Sequence, residues 1–148
     1  IVDLYLKNIK NINNWDLVDL SAPRIVGEYV FRTKNYSILR KLADTNHLWS
    51  KRIAVVSNYY LIKQGEFSLI LEFSEKFLDE THDLMHKATG WMLREMGKMD
   101  IKPLYGFLDE FSARMPRTML RYSIEKLPED KRLYYLNKKS LKIKKKSK

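Results

Sequence analysis

Apolar side chains recur at helical spacing along almost the whole chain, and that pattern leaves little room for anything but packed helices. Leu69, Ile70, Phe73 and Phe77 make one stripe; Met85, Ala88, Met92 and Met96 make another. Residues three or four apart share one face of a helix, whereas a half-buried strand alternates every two. Five Gly and four Pro in 148 residues are too few for the turns of a many-stranded sheet. Helix starts are expected at Asn13-Asn14 before Trp15, at Asn46 before Leu48, at Thr81 before His82 and at Pro116. Gly65 and Gly97-Lys98 read as stops. The expected helices lie near 1–12, 15–31, 36–45, 48–63, 67–79, 83–98, 101–113, 116–127 and 129–138.

These helices fall into a period. Lys51-Arg52-Ile53-Ala54, His86-Lys87-Ala88-Thr89 and Leu120-Arg121-Tyr122-Ser123 align, with their basic residues 35 and then 34 apart. A step of 33 back from Arg52 reaches Asp19, within Val18-Asp19-Leu20-Ser21. Two helices per unit at this period predict an all-α fold, a HEAT-like repeat α-solenoid. Residues 1–138 are expected to form that domain and residues 139–148 a basic, flexible tail. The opening Ile1-Val2-Asp3-Leu4 enters in mid-pattern, so further N-terminal helices are expected to precede it.

Charge is unevenly placed. From Lys126 onward there are ten Lys and Arg against Glu129 and Asp130, a net +8, which leaves +2 for the remainder of a +10 chain. The chain has no Cys, which excludes disulfides and thiolate metal sites and fits a cytoplasmic protein. No stretch approaches the roughly 20 apolar residues of a membrane span, so no membrane partner is expected. His82-Asp83-Leu84-Met85-His86 places two histidines on one helix face, but Asp stands where a zinc hydrolase needs Glu, and no third ligand follows. No metal and no cofactor are therefore expected.

If the second helices of successive units align, equivalent positions form one surface. In the 83–98 helix, Lys87, Trp91, Arg94 and Lys98 share a face distinct from the Met stripe. Arg117 and Arg121 share one in the 116–127 helix, and Trp15 and Asp19 in the 15–31 helix. The expected result is a concave basic surface holding two Trp and one acid, which suits phosphates and bases. Plainer readings stand beside this one. Trp91 would cover the edge of the core, Trp15 would staple a first turn, and Asp19 with Arg52 would be an ion pair between repeats. Trp49 is expected in the core.

Four blocks carry a resemblance. Asn14-Trp15-Asp16-Leu17-Val18-Asp19-Leu20-Ser21, Leu48-Trp49-Ser50-Lys51-Arg52-Ile53-Ala54, His86-Lys87-Ala88-Thr89-Gly90-Trp91-Met92-Leu93-Arg94-Glu95 and Met115-Pro116-Arg117-Thr118-Met119-Leu120-Arg121-Tyr122 resemble the AlkD-like DNA alkylation repair family, in order and with compatible spacing. The resemblance implies a monofunctional glycosylase that binds double-stranded DNA and removes N3- and N7-alkylated purines such as 3-methyladenine and 7-methylguanine; a monomer is expected. It places Trp15 and Asp19 at the lesion, with Arg52 and Trp91 beside them. Lys87, Arg94, Arg117 and Arg121 would then meet the DNA backbone.

These residue types suit the chemistry. Cleavage of an N-glycosidic bond builds positive charge on the sugar. A cationic alkylpurine leaves as a neutral base without a general acid. A carboxylate can oppose the sugar cation and place a water, and Asp19 is the candidate, held by Arg52. Trp faces favour a cationic nucleotide by about 1 kcal/mol each. Two alternatives lack turnover: a DNA-binding relative and a protein-interaction scaffold.

Overall fold

The structure is a computed structural model. It describes the backbone of residues 2–7 and 15–146, and the side chains among them except at 15–17, 20 and 139–146. Every described regular element is helical. The chain divides into two compact units, residues 1–73 and 74–148.

The first unit opens with α1 (Val2–Lys7). A continuous helical rod follows, built from α2 (Trp15–Ala22), a π-turn at Pro23–Gly27 and α3 (Glu28–Thr33). Pro23 explains the π-turn. It has no N–H to give the carbonyl of Asp19 four residues back, and its ring crowds that carbonyl. The rod widens instead, and the Glu28 N–H reaches Pro23 O five residues back. Val18, Ala22, Val26 and Val30 make its fully buried stripe. Short α4 (Ser37–Ala43) leads to α5 (Leu48–Val56) and α6 (Asn58–Lys63). The rod packs on α5 through α2 and on α6 through the π-turn and α3. Gly27 permits this approach, because a Cβ there would stand 2.5 Å from Ser57 O.

A left-handed residue follows α3 and another follows α6: Lys34 at φ 57° and Gly65 at φ 84°. A side chain is strained at that angle. At Lys34 the ammonium offsets the strain by binding Glu66 at 2.7 Å and lying 3.9 Å over the Phe31 ring. The Tyr36 hydroxyl also donates to Glu66, at 2.6 Å. Burial would push the Glu66 carboxyl up, but the hydrogen bonds from Lys34 and Tyr36 outweigh it and hold the group below its ordinary value. A lowered folded value stabilises above the unfolded one and is lost as pH falls through it. Acid titration should therefore soften this unit below the ordinary glutamate range. Thermal melts of Glu66→Gln across pH 3–6 should lack that component; an unchanged acid profile would count against the network.

In α7 (Ser68–Lys76) and the following 3₁₀ turn Phe77–Asp79, the expected stripe of Leu69, Ile70, Phe73 and Phe77 is buried. The boundary between the units falls within this helix.

The second unit contains α8 (Asp83–Met99), α9 (Ile101–Phe111), α10 (Arg117–Ile124) and α11 (Glu129–Lys146). In α8, Met85, Ala88, Met92 and Met96 are fully buried, as their spacing predicts. In α9, Leu104, Phe107, Leu108 and Phe111 form the buried face. α8 packs on both α9 and α10. Gly90 carries the α10 contact; a Cβ there would lie 2.6 Å from both Met119 O and Tyr122 Cβ.

Four local expectations need correction. The α5 cap is His47, not Asn46; its imidazole accepts the Ser50 N–H. The α8 cap is His82, not Thr81, accepting from Leu84 N. An imidazole Nδ1 does here what a short Asn or Thr side chain usually does. Gly97 does not stop α8, which runs two residues further to Met99; its missing side chain makes room for Leu104 on α9. Trp49 is half-buried rather than core. At the C-terminus the backbone of 139–146 continues α11, beyond the helix limit of 138 read from the pattern.

Candidate nucleic-acid interface

Arg52 is the most constrained cation of the first unit. It sits in α5 among Ser50, Ile53, Ala54, Val55 and Val56, all buried, and is itself only 4% exposed. A guanidinium in that setting requires an acid, and the neighbouring rod supplies one. Arg52 Nε donates to Asp19 Oδ1 at 3.0 Å, and Nη2 donates to Oδ2 at 2.9 Å. This is a two-pronged fork, the strongest geometry for the pair. The Asp19 side chain keeps 14% of its surface accessible. A carboxylate has about four lone-pair sites and the fork takes two, so Asp19 can still accept from water or face a cation.

Around the fork, the Tyr5 hydroxyl shares a 2.8 Å hydrogen bond with Ser21 Oγ. Burial raises the Tyr5 phenol above its ordinary value, the Ser21 bond works against this, and the negative charge of Asp19 adds to the rise. A concavity of about 620 Å³ is lined by Ser21, Arg24, Ile25, Glu28 and Tyr60. Arg24 is exposed and makes no hydrogen bond or ion pair among the described residues. It was not singled out from sequence, and nothing in its spacing distinguishes it.

In the second unit, the row Lys87, Trp91, Arg94 and Lys98 runs along the less buried side of α8, as expected from its offset against the Met stripe. Most of its cations already have acidic partners. Lys87 pairs with Asp83 at 3.4 Å, one helical turn back. Burial raises the Asp83 carboxyl, but hydrogen bonds from Lys87 and Thr118 hold it below its ordinary value. Arg94 binds Glu125, which follows α10, and lies 3.7 Å from Glu95, a carboxylate 4% exposed that also takes Lys98 at 2.9 Å. Arg117 donates to the Leu136 carbonyl of α11 at 3.2 Å. Arg121 is exposed and has no hydrogen bond or ion pair among the described residues.

The sequence-predicted residues are thus split between the units. Asp19 and Arg52 are in contact within the first. Lys87, Trp91, Arg94, Arg117 and Arg121 belong to the packed pair α8 and α10 of the second. Trp15 begins α2, but its side chain lies outside the described residues. The sequence reading missed Glu95 and Glu125. The second was within reach, because Arg94 and Glu125 are 31 residues apart, close to the period. The His82 and His86 pair is occupied with backbone: His82 caps α8 and His86 binds the Glu80 carbonyl. Among the described residues no group of three or more His, Asp or Glu could hold a metal ion, and no helix is long and apolar enough to cross a membrane.

Fold and site together define a class: an all-helical chain with a buried carboxylate–guanidinium fork in one unit and a cationic, tryptophan-bearing helix face in the other. The sequence settles the particular family. Residues 1–127 match the family of DNA alkylation repair enzymes, and the chain belongs to it. Membership makes its role one in DNA repair, with DNA as partner. No curated protein and no solved structure matches the chain.

Proposed function

We propose that the protein is a monofunctional DNA glycosylase that hydrolyses the N-glycosidic bond of cationic N3- and N7-alkylated purines in duplex DNA. The Asp19–Arg52 fork carries this reading: a carboxylate fixed by two hydrogen bonds yet still partly accessible. Asp19 would oppose the positive charge that grows on the sugar as the base leaves, and would orient the attacking water. Arg52 positions it and touches neither sugar nor base. Preorganisation is the advantage, since a carboxylate already locked in place spends no energy reorienting as the bond breaks. Trp15 and Trp91 are assigned to the lesion nucleotide. Arg121 is assigned to phosphates directly, Lys87 to phosphates in exchange for its exposed pair with Asp83, and Arg94 and Arg117, engaged within the unit, to shaping the helices that present them.

The HEAT-like architecture is part of the same proposal. Ion pairs within the units join residues about one period apart: Asp19 to Arg52 by 33, Lys34 to Glu66 by 32, Arg40 to Glu72 by 32 and Arg94 to Glu125 by 31. Such rungs are what equivalent positions of stacked helical hairpins would form. They also favour a second reading, in which Asp19–Arg52 is one more structural rung and the protein binds DNA without cutting it.

The deciding assay incubates the chain with duplex containing 7-methylguanine and measures free base by chromatography. Release proportional to enzyme, with no release of undamaged guanine, is expected. Tight duplex binding with no base released would reject the glycosylase reading and leave a DNA-binding repair protein.

A further inference from the structure

The family match ends at residue 127, and α11 begins two residues later. This helix has a different charge plan from everything before it. Its first turn holds Glu129 and Asp130, and no acid follows. Lys131, Arg132, Lys138, Lys139, Lys142, Lys144, Lys145, Lys146 and Lys148 do. Three candidate cations of the second unit are committed, Lys87 to Asp83, Arg94 to Glu95 and Glu125, and Arg117 to the Leu136 carbonyl, while Arg121 is exposed. A DNA-binding protein needs cations that phosphates can reach without first breaking an internal pair. Beyond Arg121, the sequence concentrates the cations of this unit in α11.

The helix is also held as an arm would be. The Tyr135 hydroxyl donates to Asp109 Oδ1 at 2.7 Å, and Lys138 Nζ donates to the Asp109 carbonyl at 2.6 Å. The Tyr135 ring stacks with Tyr105 at 6.3 Å between centroids, and Arg117 ties the Leu136 carbonyl to α10. Burial and the bond to Asp109 raise the Tyr135 phenol well above its ordinary value, so the donor keeps its proton. All of these ties fall between residues 135 and 138. Eight further residues of helix follow, about 12 Å of axis at 1.5 Å per residue. Over that length duplex DNA presents roughly seven phosphate charges, one per about 1.7 Å.

We propose that the lysine-rich second half of α11 is a phosphate-binding arm for duplex DNA, anchored at Asp109 and at the end of Arg117, and indifferent to base sequence and damage. The proposal rests on DNA as the partner, not on the glycosylase reading. Lysines three and four apart, such as 138 and 142 or 142 and 146, repel each other on a free helix. A row of phosphates turns that repulsion into attraction and releases counterions. Bound duplex should therefore also firm the helix.

The test uses the whole chain and undamaged duplex, so it is independent of base excision. Affinity is measured by fluorescence anisotropy from 50 to 200 mM salt, for the native sequence and for the combined substitution of Lys139, Lys142, Lys145 and Lys146 by Gln. Four lost contacts should flatten the slope of log affinity against log salt by about 3 to 4 and weaken binding about tenfold or more at 100 mM. The same four positions as Arg should keep the slope. Amide exchange across 139–146 should slow when duplex is added to the native chain. An unchanged slope in the Gln variant overturns the arm. So does a variant that keeps its DNA slope but loses binding to vesicles rich in anionic lipid, which would assign the helix to a membrane surface instead.

Discussion

Asp19→Asn is expected to slow single-turnover release of 7-methylguanine by about a hundredfold or more, the usual scale for removing a preorganised group that stabilises transition-state charge. The ion-pair reading of Asp19 and Arg52 predicts a loss of stability as well, and the geometry gives its cause. Asn can accept from one prong of the Arg52 fork, while its amide N–H₂ faces the other prong, donor against donor. A guanidinium left in a 4% exposed site without its counter-charge should cost about 3 kcal/mol. Rate and stability would then fall together, and the single variant cannot tell a site from a rung. Replacing both partners, Asp19→Leu with Arg52→Met, separates them. Apolar groups of similar volume commonly restore the stability of a broken buried pair, so the melting temperature should recover while excision stays lost. Near-native excision in this double variant would make the fork purely structural and remove Asp19 from the chemistry.

Gly90→Val should be the most damaging single change in the second unit. The backbone carbonyl of Met119 and the Cβ of Tyr122 already occupy the space a side chain would need, and neither can rotate away. α10 would have to move bodily off α8. Overpacking of this kind costs about 3 kcal/mol, or a fall of about 10 °C or more in melting temperature for a unit of this size. Gly106→Ala supplies the contrast. Gly106 is also within a helix, but a Cβ there meets nothing within 4 Å. Only the entropic cost of glycine is relieved, and stability should rise by about 0.5–1 kcal/mol. Similar shifts from the two substitutions would mean that the α8–α10 approach is not as close as described.

The contrast between these glycines also marks how far the sequence could be read. Helix positions were legible because burial obeys a period, and the stripes in α7 and α8 are buried where that period puts them. Which glycine stops a helix and which admits a neighbour was not legible from local composition. Gly65 does end a helix in the left-handed region, whereas Gly97 lies inside α8 against Leu104. The caps failed for a related reason: His47 and His82 stand next to better-known capping residues, and only the turn of the backbone decides which one faces the free N–H groups. At the candidate site, the period led directly to Asp19 and Arg52, because a buried cation and its acid must sit on facing helices. It did not reveal that Arg94 is engaged by Glu95 and Glu125, since reading one helix face at a time looks for cations and passes over the acids that neutralise them.

The π-turn at Pro23–Gly27 joins the α2 segment, which meets α5, to the α3 segment, which meets α6. One rod has to point Asp19 at Arg52 on α5 and, eight residues on, seat Gly27 against Ser57 between α5 and α6. In a uniform α-helix the angle between two such positions is not adjustable. Widening a single turn resets it, and Pro23 forces the widening just after Asp19. The rod therefore stores one residue of slack. With Pro23 replaced by Ala and one residue removed before Gly27, the segment could close into plain α-helix, with Gly27 in its seat and Asp19 rotated off its partner. That change would spare the scaffold and turn the carboxylate away, so under the proposed role of Asp19 this turn is where a repair enzyme and a silent DNA-binding descendant could part company.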